Sequence, residues 1–153
     1  MSFDLNHEER LRELQEQVHR ARMITPDLMA KVSAQVCPRP QAQRRASRAR
    51  IIDLVESGAC ADAALALLES ELPQWKLRRL IYEDGEWHCS LSKHSGLPVE
   101  LDEMAEGNHE NLCLAIVNAF VEARDHSVPQ SRPLSVPQVR PIQGYVICCD
   151  NFA

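Results

Sequence analysis

The sequence predicts an α+β fold, with N-terminal helices and one C-terminal amphipathic helix packed on a short antiparallel β-hairpin or three-stranded sheet. Three observations predict it. Two strand-like runs, WKLRRLIYE and EWHCSLS, flank Asp84-Gly85, the dipeptide preferred by two-residue type I′ hairpins. Leu112, Ile116, Ala119, Phe120 and Ala123 recur at helical spacing. Upstream of the hairpin, helix start and stop signals follow one another at Thr25-Pro26, Gly58 and Pro73.

Each element follows from local chemistry. Asn6, with Glu9 three residues on, resembles a capping box, so a polar helix is predicted to run to about Met23 with Leu11, Leu14, Val18 and Ala21 as a narrow apolar stripe. Such a helix must dock on the body, pair with a copy of itself or fray. Thr25 and Pro26 supply an N-cap and a first helical residue for a second helix, with Pro38 and Pro40 bracketing its end. A third helix is predicted from Gln41 to Glu56, stopped by Gly58. A fourth covers about Ala61 to Leu72, with Ala61, Leu65, Leu68 and Leu72 on one face.

The Asp-Gly turn sets the hairpin register: Glu83 opposite Glu86, Tyr82 opposite Trp87 and Leu80 opposite Cys89. One face then carries Leu80, Tyr82, Trp87, Cys89 and Leu91. The other carries Arg79, His88, Ser90 and Ser92, with Leu77 and Ile81 as apolar exceptions. An acidic loop is expected next, and then a helix capped by Asn108 and running to about Arg124, which should cover the hairpin and set Phe120 and Ile116 over Trp87. These readings divide the chain into N-terminal helical segments (1–40), a globular α+β domain (41–126), a proline-rich tether (127–143) and a strand-like tail (144–153).

Composition narrows the function classes. The chain has 153 residues and a formal net charge of -5, with 44% apolar residues, which suits one domain with its own core and argues against bulk affinity for polyanions. No apolar run approaches the ~20 residues needed to span a bilayer, and the acidic opening lacks a basic and apolar leader, so a cytoplasmic protein without membrane contact is expected. The six cysteines contain no C-x-x-C and read as reduced thiols, most of them small buried hydrophobes. Phosphate-cradling glycine loops, hydrolase elbows and zinc-protease helices are absent, so no cofactor is expected and no enzyme class is assigned.

Three groups of residues remain as candidates. His109 and Cys113 are four apart on the last predicted helix, while Cys89 lies on the hairpin, so the three are candidate zinc ligands or a Cys–His pair. The plainer reading makes Cys89 and Cys113 core residues and leaves His109 in solvent. Arg39, Arg44, Arg45, Arg48 and Arg50 form a basic block that, with Lys76, Arg78 and Arg79, is a candidate phosphate-gripping face. The acids at 100, 102, 103, 106 and 110 could neutralise that block within one chain or between copies. Finally, SVPQSRPL and SVPQVRPI repeat in tandem over residues 127–142. Their period of four does not match the three-residue turn of polyproline II, which favours a spacer over a groove ligand. Tyr145, Val146 and Ile147 beyond it offer a third strand or a free tail.

The pattern of Trp75, Trp87, Cys89 and Leu91, followed after a loop by Leu112, Ala115, Ile116 and Ala119, resembles small bacterial and phage-associated hairpin-plus-helix domains, including those called phage ABA sandwich domains. The resemblance spans residues 75–123 and implies a small α+β layer without catalytic residues. Taken together, the sequence reads as a non-catalytic protein-interaction or adaptor module with a protein partner or self-association. Nucleic-acid binding through residues 39–50 is the alternative, and a zinc- or thiol-dependent His/Cys protein is the third reading.

Overall fold

A computed structural model describes residues 3–34 and 41–127; the expectations for residues 35–40, for most of the tether and for the tail lie outside them. Helices α1 (Phe3–Arg20), α2 (Pro26–Ala34), α3 (Gln41–Glu56) and α4 (Cys60–Glu71) precede strands β1 (Lys76–Glu83) and β2 (Glu86–Ser92). A 3-10 turn at Val99–Leu101, strand β3 (Met104–His109) and helix α5 (Leu112–Ser127) follow. The fold is α+β, with a three-stranded antiparallel sheet in the order β1-β2-β3.

The hairpin forms in the predicted register. Asp84 and Gly85 both take positive φ, 54° and 89°, as a type I′ turn demands. One refinement concerns Arg78, which sits in a β-bulge between Leu77 and Arg79. The extra residue shifts the phase of everything before it. Leu77 therefore lies opposite Leu91, on the face of Leu80 and Tyr82, and not among the polar residues where simple alternation puts it.

The third strand is β3, drawn from the stretch read as an acidic loop. Its inward positions are Ala105 and Gly107, too small to register as apolar alternation. Consequently Asn108 is a strand residue. The cap of α5 is Asn111, whose Oδ1 accepts the backbone N–H of Cys113 at 2.9 Å and of Leu114 at 3.5 Å. Helix α5 also runs past Arg124 to Ser127, so the first residue assigned to the tether is helical.

Helix α5 is the core helix and not a one-sided cover. Leu114, Ala115, Ile116, Val117, Ala119, Phe120, Val121 and Ala123 are all buried, because α5 meets β3 and β2 on one side and α1 and α4 on others. Helix α1 docks through Leu11, Leu14 and Val18. It starts at Phe3, ahead of Asn6, and stops at Arg20, where the chain turns to bury Ile24. In α2 the Thr25 Oγ1 accepts the Leu28 N–H at 3.2 Å, the cap the sequence predicts. In α4 the buried residues are Ala63, Ala64, Leu67 and Leu68, a face rotated from the expected row of Ala61, Leu65, Leu68 and Leu72. Only Leu68 and Leu72 of that row are buried.

The fully buried tryptophan is Trp75, 1% exposed, just before β1. Trp87 is half-buried and its ring stands 5.2 Å from that of Tyr82. The reason is geometric: α5 lies over β3 and β2, which leaves the hairpin end of the sheet uncovered on that face.

Candidate functional site

The two edges of the sheet differ. Along β3 two outward backbone groups are taken up by α5: Asn118 Nδ2 donates to the Asn108 carbonyl at 3.2 Å, and the Glu122 carboxylate accepts the Glu106 N–H. Partial burial raises Glu122 above the usual carboxylate range, partly offset by the positive charge of His126 and by that backbone donor. Gly107 makes this closeness possible, since a Cβ there would stand 2.6 Å from the Ala115 carbonyl oxygen.

The outer edge of β1 is different. Among the described residues no strand lies beyond it, and six of its eight residues are exposed. In a two-residue hairpin Glu83 closes the ladder, so Glu83 and Ile81 turn their backbone groups to β2, and Leu80 and Tyr82 turn theirs outward. Beside those groups runs an apolar ridge of Leu77, 39% exposed, half-buried Leu80, and Tyr82, 61% exposed.

The Asp102 carboxylate ties the β2–β3 connection to this edge. It accepts hydrogen bonds from Ser92 Oγ, from the His94 backbone N–H at 2.8 Å and from Arg78 Nη1 at 2.8 Å. These partners, Ser92 foremost, hold its carboxyl below the usual range, against a smaller opposing effect of desolvation. The carboxylate is sealed from solvent by its own partners although it sits at the periphery of the molecule. Lys93 pairs with Glu103 at 2.8 Å in the same connection. Asp102 is thus matched by Arg78 of β1 and Glu103 by Lys93 of the connection itself, and neither by an arginine of α3. The connection itself leaves Leu97, Val99 and Leu101 exposed.

The predicted zinc or thiol residues are not brought together. His109 faces the end of α1, its ring edge-on to His19 at 6.3 Å between centroids. Its Nδ1 accepts the Asn111 N–H at 2.9 Å, which leaves Nε2 to carry the proton toward the His19 carbonyl at 3.3 Å. Both nitrogens are thereby engaged, on the wall of an open polar cleft of about 650 Å³ that also takes in Arg20, Arg22, Glu86 and Glu110. Cys89 is buried at 1% exposure opposite Gly107, and burial pushes its thiol up to about 12. Cys113 is half-buried beside Cys60, and burial, followed by that neighbour, pushes its thiol up to about 11. Among the described residues no three His, Cys, Asp or Glu side chains converge as metal ligands.

The candidate basic residues within the described residues lie on two elements, α3 and β1. Arg39 lies outside the described residues, and Arg44 is placed on α3 by its backbone alone. Arg48 donates to the Ala30 carbonyl at 2.9 Å and so docks α3 against α2, while Arg45 and Arg50 are exposed. Lys76 and Arg79 are exposed on β1, and Arg78 is held by Asp102. Sequence reasoning missed the bare β1 edge because it depends on which strand α5 covers. It missed the Cys60–Cys113 approach because the two positions are far apart in the chain; their shared place at helix starts was the one available signal.

Searches of family models, curated proteins and solved structures find no match to this chain. No helix among the described residues is long and apolar enough to cross a membrane.

Proposed function

We propose that the protein is a non-catalytic interaction module that takes up an extended segment of a protein partner along the outer edge of β1. One observation carries the reading: of the six large apolar side chains exposed among the described residues, all but Met23 lie on β1 or on the connection that Arg78 and Asp102 tie to it. Exposed apolar side chains gathered beside unpaired strand backbone are what strand addition needs, since main-chain hydrogen bonds supply affinity and alternate side chains supply selectivity. Lys76 and Arg79 at one end of the strand and Glu83 at the other favour a partner that sets an acid against the first and a base against the second. The cytoplasm is the compartment this reading assumes, on the strength of the absence of any paired-cysteine framework.

The test uses a synthetic peptide of alternating valine and threonine, with a terminal Asp and Lys, titrated into the full chain and followed by amide NMR shifts. Binding should move Leu80 and Tyr82 more than Ile81 and Glu83. Tyr82→Pro, which removes an outward N–H without touching the β1–β2 ladder, should weaken it about tenfold, and Leu77→Ser should weaken it while keeping the backbone donor. Shifts confined to α3, or binding that collapses steeply with salt and with Arg45→Glu, would replace this reading with a polyanion-binding one.

A further inference from the structure

Glu83 stands directly opposite Glu86, so two carboxylates face each other across the β1–β2 ladder, an arrangement that ordinarily costs stability. The donor nearby, Asn108 Nδ2, serves Glu86 at 2.8 Å. Further back on the same face of β1, Arg79 is exposed, and among the described residues neither Arg79 nor Glu83 has an ion-pair partner. We propose, resting on the reading of β1 as a docking edge, that its occupant is β1 of a second copy, paired antiparallel about Ile81.

Symmetry restricts the registers open to such a pair. Two antiparallel copies of one strand are related by a two-fold axis normal to the sheet, and directly opposed residues then come from the same face, so the axis must pass beside a residue. About Ile81, Arg79 meets Glu83 of the second copy, and Glu83 meets Arg79 of the second copy. On the opposite face Leu80 meets Tyr82 of the second copy, and Tyr82 meets its Leu80. Both charges that lack a partner within the chain thereby gain one, and the incoming arginine stands at the carboxylate that faces Glu86. A register about Leu80 would set Arg79 against Ile81, and one about Tyr82 would set Glu83 against Ile81. Either shift opposes a charge to an apolar side chain.

The backbone agrees with the pairing about Ile81. Leu80 and Tyr82 are the residues whose N–H and C=O turn outward. Opposed across the axis, they exchange both hydrogen bonds, while Ile81, whose groups are spent on β2, falls at the non-bonded position. Half-buried Leu80 and Tyr82, 61% exposed, would cover each other, at the end of the sheet that α5 leaves bare by packing on β2 and β3. Exposed ion pairs are worth little singly, so the strand bonds and the Leu80–Tyr82 contacts supply the affinity and the charges choose the register.

Sedimentation equilibrium of the full chain in low salt, from about 1 μM to about 1 mM, tests the pairing. The average mass should rise from one copy to two and level off, and dilution should move the amide shifts of Leu80 and Tyr82. Arg79→Glu and Glu83→Arg should each weaken association about tenfold or more, since both ion pairs become repulsive. An equimolar mixture of the two variants should dimerise about as well as wild type, because each supplies the charge the other lacks, and that recovery shows both to be folded. Excess of the valine–threonine peptide should return the wild-type chain to one copy. A chain that stays monomeric across the range while the peptide still shifts Leu80 and Tyr82 would overturn the self-pairing and leave the docking edge standing. A monomeric chain that ignores the peptide would overturn both. A dimer that tolerates both charge reversals, or reversals that do not recover on mixing, would place the contact elsewhere and overturn the pairing as well.

Discussion

Gly107 of β3 lies directly against Ala119 of α5, so close that the helix backbone nitrogen occupies the space a Cβ at position 107 would need. Strand and helix are pressed together there with no side chain between them, and Asn118 and Glu122 reach the strand edge because of it.

Gly107→Ala should therefore destabilise the protein by about 2–3 kcal/mol, seen as a lower urea midpoint with little change in slope. Ala119→Gly should not rescue it, since the obstacles are the Ala119 nitrogen and the Ala115 carbonyl and not the alanine methyl. An unchanged midpoint in Gly107→Ala would mean that the helix stands further from the strand.

The two tryptophans should separate clearly. Trp75→Ala removes a side chain that is 1% exposed and should cost about 3–5 kcal/mol, while Trp87→Ala, half-buried beside Tyr82, should cost about 1–2 kcal/mol. Thermal unfolding followed by circular dichroism checks the order, and a larger loss at Trp87 would contradict the placement of α5.

Capping gives a second contrast. Asn111→Ala should cost about 1 kcal/mol through loss of the acceptor for Cys113 and Leu114, whereas Asn108→Ala should stay within about 0.5 kcal/mol. What α5 uses at Asn108 is the backbone carbonyl, which the substitution leaves in place.

Acid should act on two carboxylates with opposite signs. Asp102 is held below its unfolded value. Its contribution is fully present above the unfolded value near 4 and is lost as the pH falls through the lower folded one. Glu122 is raised, so the native state takes up that proton first and gains on the unfolded state as the pH falls toward the unfolded value. Stability measured from pH 3 to 8 should lose part of its acid limb in Asp102→Asn and become flatter above the usual glutamate range in Glu122→Gln. Parallel curves for wild type and both variants would refute these assignments.

What the sequence shows of this fold depends on which interactions have a local signature. The hairpin register is readable because Asp84-Gly85 admits few backbone solutions, and α2 because Thr25 and Pro26 each supply a defined piece of a helix start. Strand β3 is not readable, since Ala105 and Gly107 are small in order to admit α5 and so carry no apolar rhythm. The phase of Leu77 depends on a single bulged residue, Arg78, whose bond to Asp102 joins segments far apart in the chain. The proposed docking edge was hidden for a related reason: exposure of β1 follows from where α5 comes to rest, and no residue of β1 encodes that.

Closure of the β3 edge by Asn118 and Glu122 also sets the valence of the sheet. With β1 the open rim among the described residues, two copies meeting edge to edge would make one continuous six-stranded sheet, and at each outer rim of that pair Asn118 and Glu122 would stand against the backbone of β3. A sheet open on both sides could add subunits without end. This one offers its open rim on β1, and on the proposed reading a bound partner segment would take the place of a second copy there.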